Sequence, residues 1–534
     1  MSFEFQNMPA YDLLIKNGTV IDGTGRKRFQ ADVAIYEDKI AKVAVIPDTA
    51  ARTVIDASGK FVSPGFIDIL NHSDTYLTLL TMPVQESLLY QGITTAIGGN
   101  CGSSLAPLVS GAVIKTIQKW TSVQAVNVNW QTFSEYLETL EKSRLGVNFG
   151  SLVGHATLRR GLLKEEFRPL RQSEFDDMSF LLEAAMDEGA FGLSTGLSYS
   201  HAKIAPTEEI TDLAAIVARH GGVYATHVRA ESDELLDAIT ETVKIAHDSG
   251  VSLEVSHLKA MGRKYWGNFE GAIALLEDAR DAGIDLNFDV HPYTVTGSVL
   301  YILLPDWVVE GGRRRMLERL KNPETAAKAK EDLDALGFDY DHIMIGSTHA
   351  DRTFVGKTMV EIATRQGVSV TEAIIRLLIA TEGHVITLSD VLSEDNVKLG
   401  VTHPASFVVS DGQGYTLMHR QSGELVHPRC FGAFPRLMAE YVRRQHLLDW
   451  EEAIWKITGG PAEKYHLAGR GTLERGAWAD VVVFDPQTIA ERATFTNPYQ
   501  YAQGVEHLLI NGVSVIAQGE HTGARAGRVL RRNE

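Results

Sequence analysis

Residues 222–259 read GVYATHVRAESDELLDAITETVKIAHDSGVSLEVSHLK. Two short apolar runs, Gly222–Arg229 and Ser252–Lys259, bracket a stretch with a different period. Between them Leu235, Leu236, Ile239, Val243 and Ala246 form one stripe at helical spacing, with Ser232 placed to cap the start and Gly250 to end it. The runs are apolar on both faces, as strands are when helices cover the two sides of a parallel sheet. The stretch therefore predicts a strand–helix–strand unit with parallel strands.

The same alternation extends in both directions. Further runs occur at Val62–Leu70, Thr94–Gly99, Val147–Gly154, Ala190–Leu197, Asp285–Tyr293 and Phe407–Gly412, which makes eight with the two above. Eight such units predict an α/β fold closed as a (β/α)8 barrel. A doubly wound open sheet is the alternative, disfavoured because no Gly-rich phosphate turn follows the first strand. The long gap before the eighth run contains helix-like stretches such as Glu361–Thr381, so an inserted subdomain is expected at about 300–405, over the barrel mouth. The two ends read differently. Tyr11–Ile21, Asp32–Tyr36 and Ile40–Ile46 are strand-like, as are Asp480–Phe484, Val505–Ile510 and Val513–Ala517 around an Asn511-Gly512 turn. The expected organisation is a small discontinuous β-sandwich domain from 1–61 and 465–534 beside a barrel at 62–464.

Composition narrows the function. The chain has 534 residues, 44% hydrophobic and 22% charged, enough for one large domain with additions. Its net charge of −17 argues against nucleic-acid binding but not against a local cationic pocket for an anionic small molecule. Two cysteines, Cys101 and Cys430, argue against a disulfide framework and fit a reducing, cytoplasmic compartment. No apolar run is long enough to span a membrane, and residues 1–12 lack the pattern of a signal peptide.

Active sites of such barrels lie at the C-terminal strand ends. Here those ends carry His72, Cys101, His227 with Arg229, His257 with Lys259, His291 with Tyr293, and Asp411. Each has a plainer reading when taken alone. A cysteine or histidine is commonly a core residue, an aspartate before glycine a turn residue, and a lysine or arginine a solvated charge. Their convergence at one rim is what favours a site. Cys and His suit zinc, three protein ligands leave a catalytic position open, and a nearby aspartate can move a proton.

The segments PGFID (64–68), GNCG (99–102), GLSTGL (192–197), YATHVR (224–229), SHLK (256–259), HPYT (291–294), SDG (410–412) and HPRCFGAFPRLM (427–438) resemble the D-aminoacylase, or N-acyl-D-amino-acid deacylase, branch of the amidohydrolase superfamily. PGFID and SDG are shared widely in that superfamily, whereas GNCG, SHxK and HPRxFGxFPR are specific to the branch. The resemblance covers nearly the whole chain. It implies zinc-dependent hydrolysis of N-acyl-D-amino acids, with zinc held by Cys101, His227 and His257 and Asp411 as general base and then acid. Tyr199, Lys259, Tyr293, Ser298 and Arg429 would surround the substrate carboxylate and acyl carbonyl, and Arg229 at the same rim joins the expected substrate-binding set.

One position departs from the superfamily. PGFID is usually followed by x-H-x-H, but here Ile69-Leu70-Asn71-His72 follows, so only His72 matches. One tightly bound zinc is therefore expected, with His72 completing the metal shell or polarising the carbonyl. A cyclic amidohydrolase of hydantoinase or dihydroorotase type and a non-catalytic homologue remain as alternatives.

Overall fold

The computed structural model describes residues 10–46, 51–110, 126–164, 166–336, 340–348 and 351–532. The first nine residues, read above for a signal peptide, lie outside the described residues. The fold is α/β. Strand Val223–His227 pairs in parallel with Gly192–Gly196 on one side and Ser252–Val255 on the other. That sheet continues through Leu286–Val290 to Ser406–Val408, and in the other direction to Val153–Gly154. A second parallel sheet contains Phe66–Asp68, Ile93–Gly98 and Asn148–Ser151. The chain passes directly from Ser151 into Val153–Gly154 of the first sheet. At the opposite edges, Asn71 and Gly412 form an isolated parallel bridge, and His72 N–H donates to Gly412 O at 2.8 Å.

Alternation along the strands aims the site. Val223 and Ala225 join Ile67, Ile97, Phe407 and Val409 in one apolar cluster, whereas Tyr224 joins the separate main core. His227 lies two residues beyond Ala225 and so continues that inner row at the strand's C-terminal end. Leu70 is 1% exposed and belongs to the same inner cluster. The helix in the opening stretch is Leu235–Ser249, ended by Gly250 at φ 70°. Its N-cap is Glu234 rather than Ser232, whose hydroxyl donates to Asp233 instead.

A nine-stranded sheet draws on both ends of the chain. Phe61–Pro64 runs parallel to Tyr11–Val20 and antiparallel to Val481–Phe484. The strands of the two chain ends form one continuous hydrogen-bonded network. Tyr11–Val20 is long enough to pair one edge first with Ala51–Asp56 and then with Phe61 and Val62. The predicted run Val62–Leu70 likewise serves two sheets. Pro64-Gly65 carries the chain from the terminal sheet into Phe66–Asp68. Only glycine fits at 65, where a Cβ would lie 2.2 Å from the Thr94 side chain. Asn511 and Gly512 both adopt positive φ, 48° and 80°, as a tight two-residue hairpin turn requires.

Between the last two parallel strands an antiparallel sheet forms from Val295–Val299, Val385–Asp390 and Ile343–Thr348. Helices including Gly312–Lys321, Pro323–Leu336, Met359–Gln366 and Val370–Ala380 accompany it, with a core of its own around Leu300, Met316, Ile345, Ile362 and Leu378. The helical stretch read at Glu361–Thr381 is two helices, separated at Gly367 with φ 66°. Among the described residues no helix is long and apolar enough to cross a membrane.

Candidate active site

Cys101, His227 and His257 converge although they arise from three different strand ends. Each offers a ligand atom, these atoms all lie within 4.8 Å of one another, and all three residues are buried. Cys101 Sγ is 3.4 Å from His257 Nε2, and the two imidazole rings meet edge to face at 4.5 Å between centroids. Local backbone sets the aim. Cys101, His257 and Asp411 all adopt positive φ, at 52°, 36° and 48°. That conformation is rare for residues with a Cβ and persists only where the surroundings enforce it. Buried carboxylates do so here. Asp74 accepts from Gly99 N–H at 2.7 Å, Asp289 accepts from His257 N–H at 2.6 Å, and Asp68 accepts from Ser410 N–H at 2.9 Å.

The donor set fits a metal ion. A thiol and two imidazoles suit tetrahedral zinc with one position open. Burial, and next the charge of Lys259, hold His257 well below its ordinary pKa, so its ring is neutral and available as a ligand. Among the described residues this is the cluster of His, Cys, Asp or Glu able to hold a metal.

Asp411 stands beside this cluster. Its Oδ1 is 3.0 Å from His72 Nε2 and its Oδ2 is 2.6 Å from Arg429 Nη1. Burial pushes the Asp411 carboxyl up. The Arg429 charge, the His72 hydrogen bond and the charge of His257 outweigh that and hold it well below the usual carboxylate range. It is therefore an anion at neutral pH, the form a general base needs.

One cavity collects most of the expected residues. His72, Cys101, Tyr199, His227, His257, Lys259, Ser298, Asp411 and Arg429 all line it. Arg229 and Tyr293 do not. The Arg229 guanidinium is engaged by Glu241, at 2.7 Å, and by the carbonyls of Lys203 and Ala205, because Arg229 lies two residues past His227 on a chain that has already left the strand. Tyr293 O–H donates to Glu491 Oε2 at 2.7 Å, and Arg436 lies over its ring. Both side chains are held by protein partners away from the cavity lining.

Sequence reasoning missed Glu231. Its Oε1 is 2.5 Å from Lys259 Nζ, 3.4 Å from His227 Nε2 and 3.6 Å from His257 Nδ1. Lys259 Nζ in turn donates to His257 Nδ1 at 2.8 Å. Glu231 sits in a loop beyond the strand, and its only signal in the sequence is an acid four residues after His227. Ser198, whose Oγ is 2.8 Å from His227 Nε2, was missed for the same reason.

Comparison with known proteins places the chain in a family. The amidohydrolase family pattern matches residues 53–516. D-aminoacylase of Alcaligenes xylosoxydans xylosoxydans is 35% identical over 98% of either chain. N-acyl-D-glutamate deacylase of Bordetella bronchiseptica, solved with zinc and a phosphonate mimic of the tetrahedral intermediate, is 31% identical over 98% of this chain and 99% of that one, with a TM-score of 0.81. A D-aminoacylase structure described by a binuclear metal centre, with one-metal activation and second-metal attenuation, is 33% identical over 98% of this chain and 100% of that one, with a TM-score of 0.82. The chain belongs to the amidohydrolase family, on its D-aminoacylase branch.

Proposed function

We propose that this protein hydrolyses N-acyl-D-amino acids to a carboxylate and a free D-amino acid, using one zinc ion held by Cys101, His227 and His257. The observation that carries the reading is a single buried cavity holding these three donors together with Asp411, Lys259 and Arg429. The D preference rests on the activity of the relatives.

Held by Cys101, His227 and His257, zinc would supply Lewis-acid polarisation of the acyl group. Asp411 accepts a proton from the attacking water, and His72, 3.0 Å from its Oδ1, fixes the carboxylate's direction. As the C–N bond breaks, Asp411 returns that proton to the leaving nitrogen. Arg429 binds the substrate's free carboxylate as a fork, exchanging part of its pairing with Asp411, and Lys259 adds a second charge. Tyr199 and Ser298 line the same space and orient the amide.

The two parallel sheets, linked through Ser151–Val153 and through Asn71–Gly412, read as one closed eight-stranded barrel at 62–464. The insertion at about 300–405 covers its mouth, and 1–61 with 465–534 form the flanking domain. The partner is a small molecule, and the two free cysteines fit the cytoplasm.

An amine-release screen of zinc-loaded protein over paired N-acetyl-D- and N-acetyl-L-amino acids tests the reading. Hydrolysis confined to D substrates is expected. Turnover of the L forms, or none at full metal occupancy, overturns it.

A further inference from the structure

Arg229 does not line the catalytic cavity, but its guanidinium grips the segment that carries one wall of it. Nε donates to Glu241 Oε2 and Nη2 to Glu241 Oε1, both at 2.7 Å, so the carboxylate is held as a fork. Nη1 donates to Lys203 O at 2.5 Å, and Nη2 to Ala205 O at 3.1 Å. Those two carbonyls lie at the end of the one-turn helix Ser200–Lys203, whose N-cap is Tyr199. So short a helix has too few internal bonds to hold itself, and its last carbonyls find no partner within it. Arg229 supplies partners from outside. Glu241 Oε1 also accepts from Thr207 Oγ1 at 2.8 Å, which fixes the chain where the next helix, Thr207–Arg219, begins.

The other end of that turn is Tyr199, which lines the cavity. The amides of Ala202 and Lys203 both donate to Tyr199 O at 2.9 Å, and Tyr199 N–H donates to Gly196 O at 3.1 Å. The Tyr199 ring packs against bare backbone, since a Cβ on Gly196 would lie 2.7 Å from it. Its centroid is 5.0 Å from that of the His227 ring. Ser198, one residue earlier, has its Oγ 2.8 Å from His227 Nε2. Strand Val223–His227 thus ends on a metal ligand and, two residues later, delivers the anchor of the neighbouring segment. The relative placement of His227 and Tyr199 is set by three residues of chain, 227–229, and one guanidinium.

We infer that Arg229 is a positioning residue for the hydrolysis proposed above: by gripping the carbonyls of Lys203 and Ala205 it fixes where the Tyr199 side chain stands in the cavity relative to the zinc ligand His227. Arg229 acts through Tyr199 and touches no substrate. The inference rests on the proposed function for what Tyr199 does, and on the contacts above for how Tyr199 is held. Lysine at 229 cannot replace the arginine. An ammonium has three donors on a flexible stem and no planar fork, so it cannot serve the carboxylate and both carbonyls in one geometry.

The test is a double-mutant cycle on the zinc-loaded protein, with whichever N-acetyl-D-amino acid the native protein hydrolyses fastest. Arg229→Lys should keep its zinc and lose on the order of 10²-fold in kcat, the cost of displacing a positioning group by about 1 Å. KM should stay within a few-fold of native, because Arg429 and Lys259 still hold the carboxylate. In a Tyr199→Phe background the same substitution should cost less than about threefold, since the hydroxyl it positions is already gone. Glu241→Gln weakens the fork without touching the arginine. It should show the same pattern with smaller losses, and it replaces Arg229→Lys in the cycle if that variant fails to fold. Losses of equal size in the two backgrounds, loss of zinc, or a near-native rate in Arg229→Lys overturns the inference. Fluorine NMR of protein carrying meta-fluorotyrosine at position 199 reads the placement without turnover. One narrow resonance in the native protein should shift or broaden in Arg229→Lys. That change in a protein that hydrolyses no N-acyl-D-amino acid would sink the proposed reaction and leave the clamp on Tyr199 standing. An unmoved resonance removes the clamp whether or not hydrolysis occurs.

Discussion

Cys101 Sγ lies 3.4 Å from His257 Nε2 across 156 residues of sequence, and both residues hold left-handed backbone. Conformations of this kind cost about 1–3 kcal/mol each, so the rest of the fold must hold the ligands in place before any metal arrives. Elemental analysis should give about one zinc per chain that survives dialysis, as a three-ligand catalytic site predicts. Cys101→Ser should lose most of that metal while keeping its far-ultraviolet circular dichroism. Two equivalents surviving dialysis in the native protein would contradict the mononuclear site.

Asp411→Asn keeps the shape of the side chain and removes its basicity. The variant should bind zinc normally and lose roughly 10²–10⁴-fold in kcat, the range of general acid–base catalysis. A rate within a few-fold of the native value would take Asp411 out of proton transfer.

Glu231 ties Lys259 to both histidines, and it is itself only 8% exposed. Removing its charge leaves Lys259 buried without its anion. Partners that orient metal ligands typically contribute 10–100-fold to metal affinity or activity, so Glu231→Gln should fall by about that factor in chelator competition, in kcat/KM, or in both. Unchanged values in both measurements would reduce Glu231 to a bystander.

Leu70 occupies the position at which the superfamily places a metal-binding histidine. It lies in the inner apolar cluster two residues before His72, which lines the cavity. Leu70→His should admit a second zinc at saturating metal, and excess zinc should change activity in the variant but not in the parent. Identical metal stoichiometry in the two proteins would show that residue 70 does not reach the site.

Lys456 provides a pH test far from the metal. Its ammonium is fully buried and donates to the carbonyls of His403 and Ser406, and burial lowers its pKa to about 8. The folded chain therefore binds this proton more weakly than the unfolded chain, whose lysine titrates near 10.5. Stability rises with pH wherever the unfolded state holds more protons, here between about 8 and 10.5. The stability of the native protein relative to Lys456→Met should grow across that window by on the order of 3 kcal/mol. A constant difference from pH 8 to 10.5 would show that Lys456 does not titrate there.

The strands that carry the site were legible because each is apolar on both faces and ends in a polar residue. His227 and His257 could be placed on the rim from Gly222–Arg229 and Ser252–Lys259 alone. The split at Pro64-Gly65 was not legible, because an apolar run has the same appearance whether one sheet or two receive it. Arg229 falls outside the cavity because a strand's alternation stops predicting direction once the chain leaves the sheet, and Val223–His227 ends two residues earlier. Glu231 and Ser198 come from loops, and the antiparallel sheet comes from the insertion. There, contacts such as Glu424 with Ser347 span 77 residues and leave no periodic trace.

The pairing of Phe61–Pro64 with Val481–Phe484 bears on how the protein is made. During translation the early strand leaves the ribosome about 420 residues before its partner, a delay of roughly 20–80 s at ordinary synthesis rates. Throughout that interval one edge of the N-terminal strands is open to any extended segment nearby, the nascent barrel's own included. Yield in cells should therefore respond to elongation speed and to chaperone supply more than equilibrium stability alone would suggest, and a chain stalled before Val481 should be an aggregating species rather than a barrel lacking only its tail.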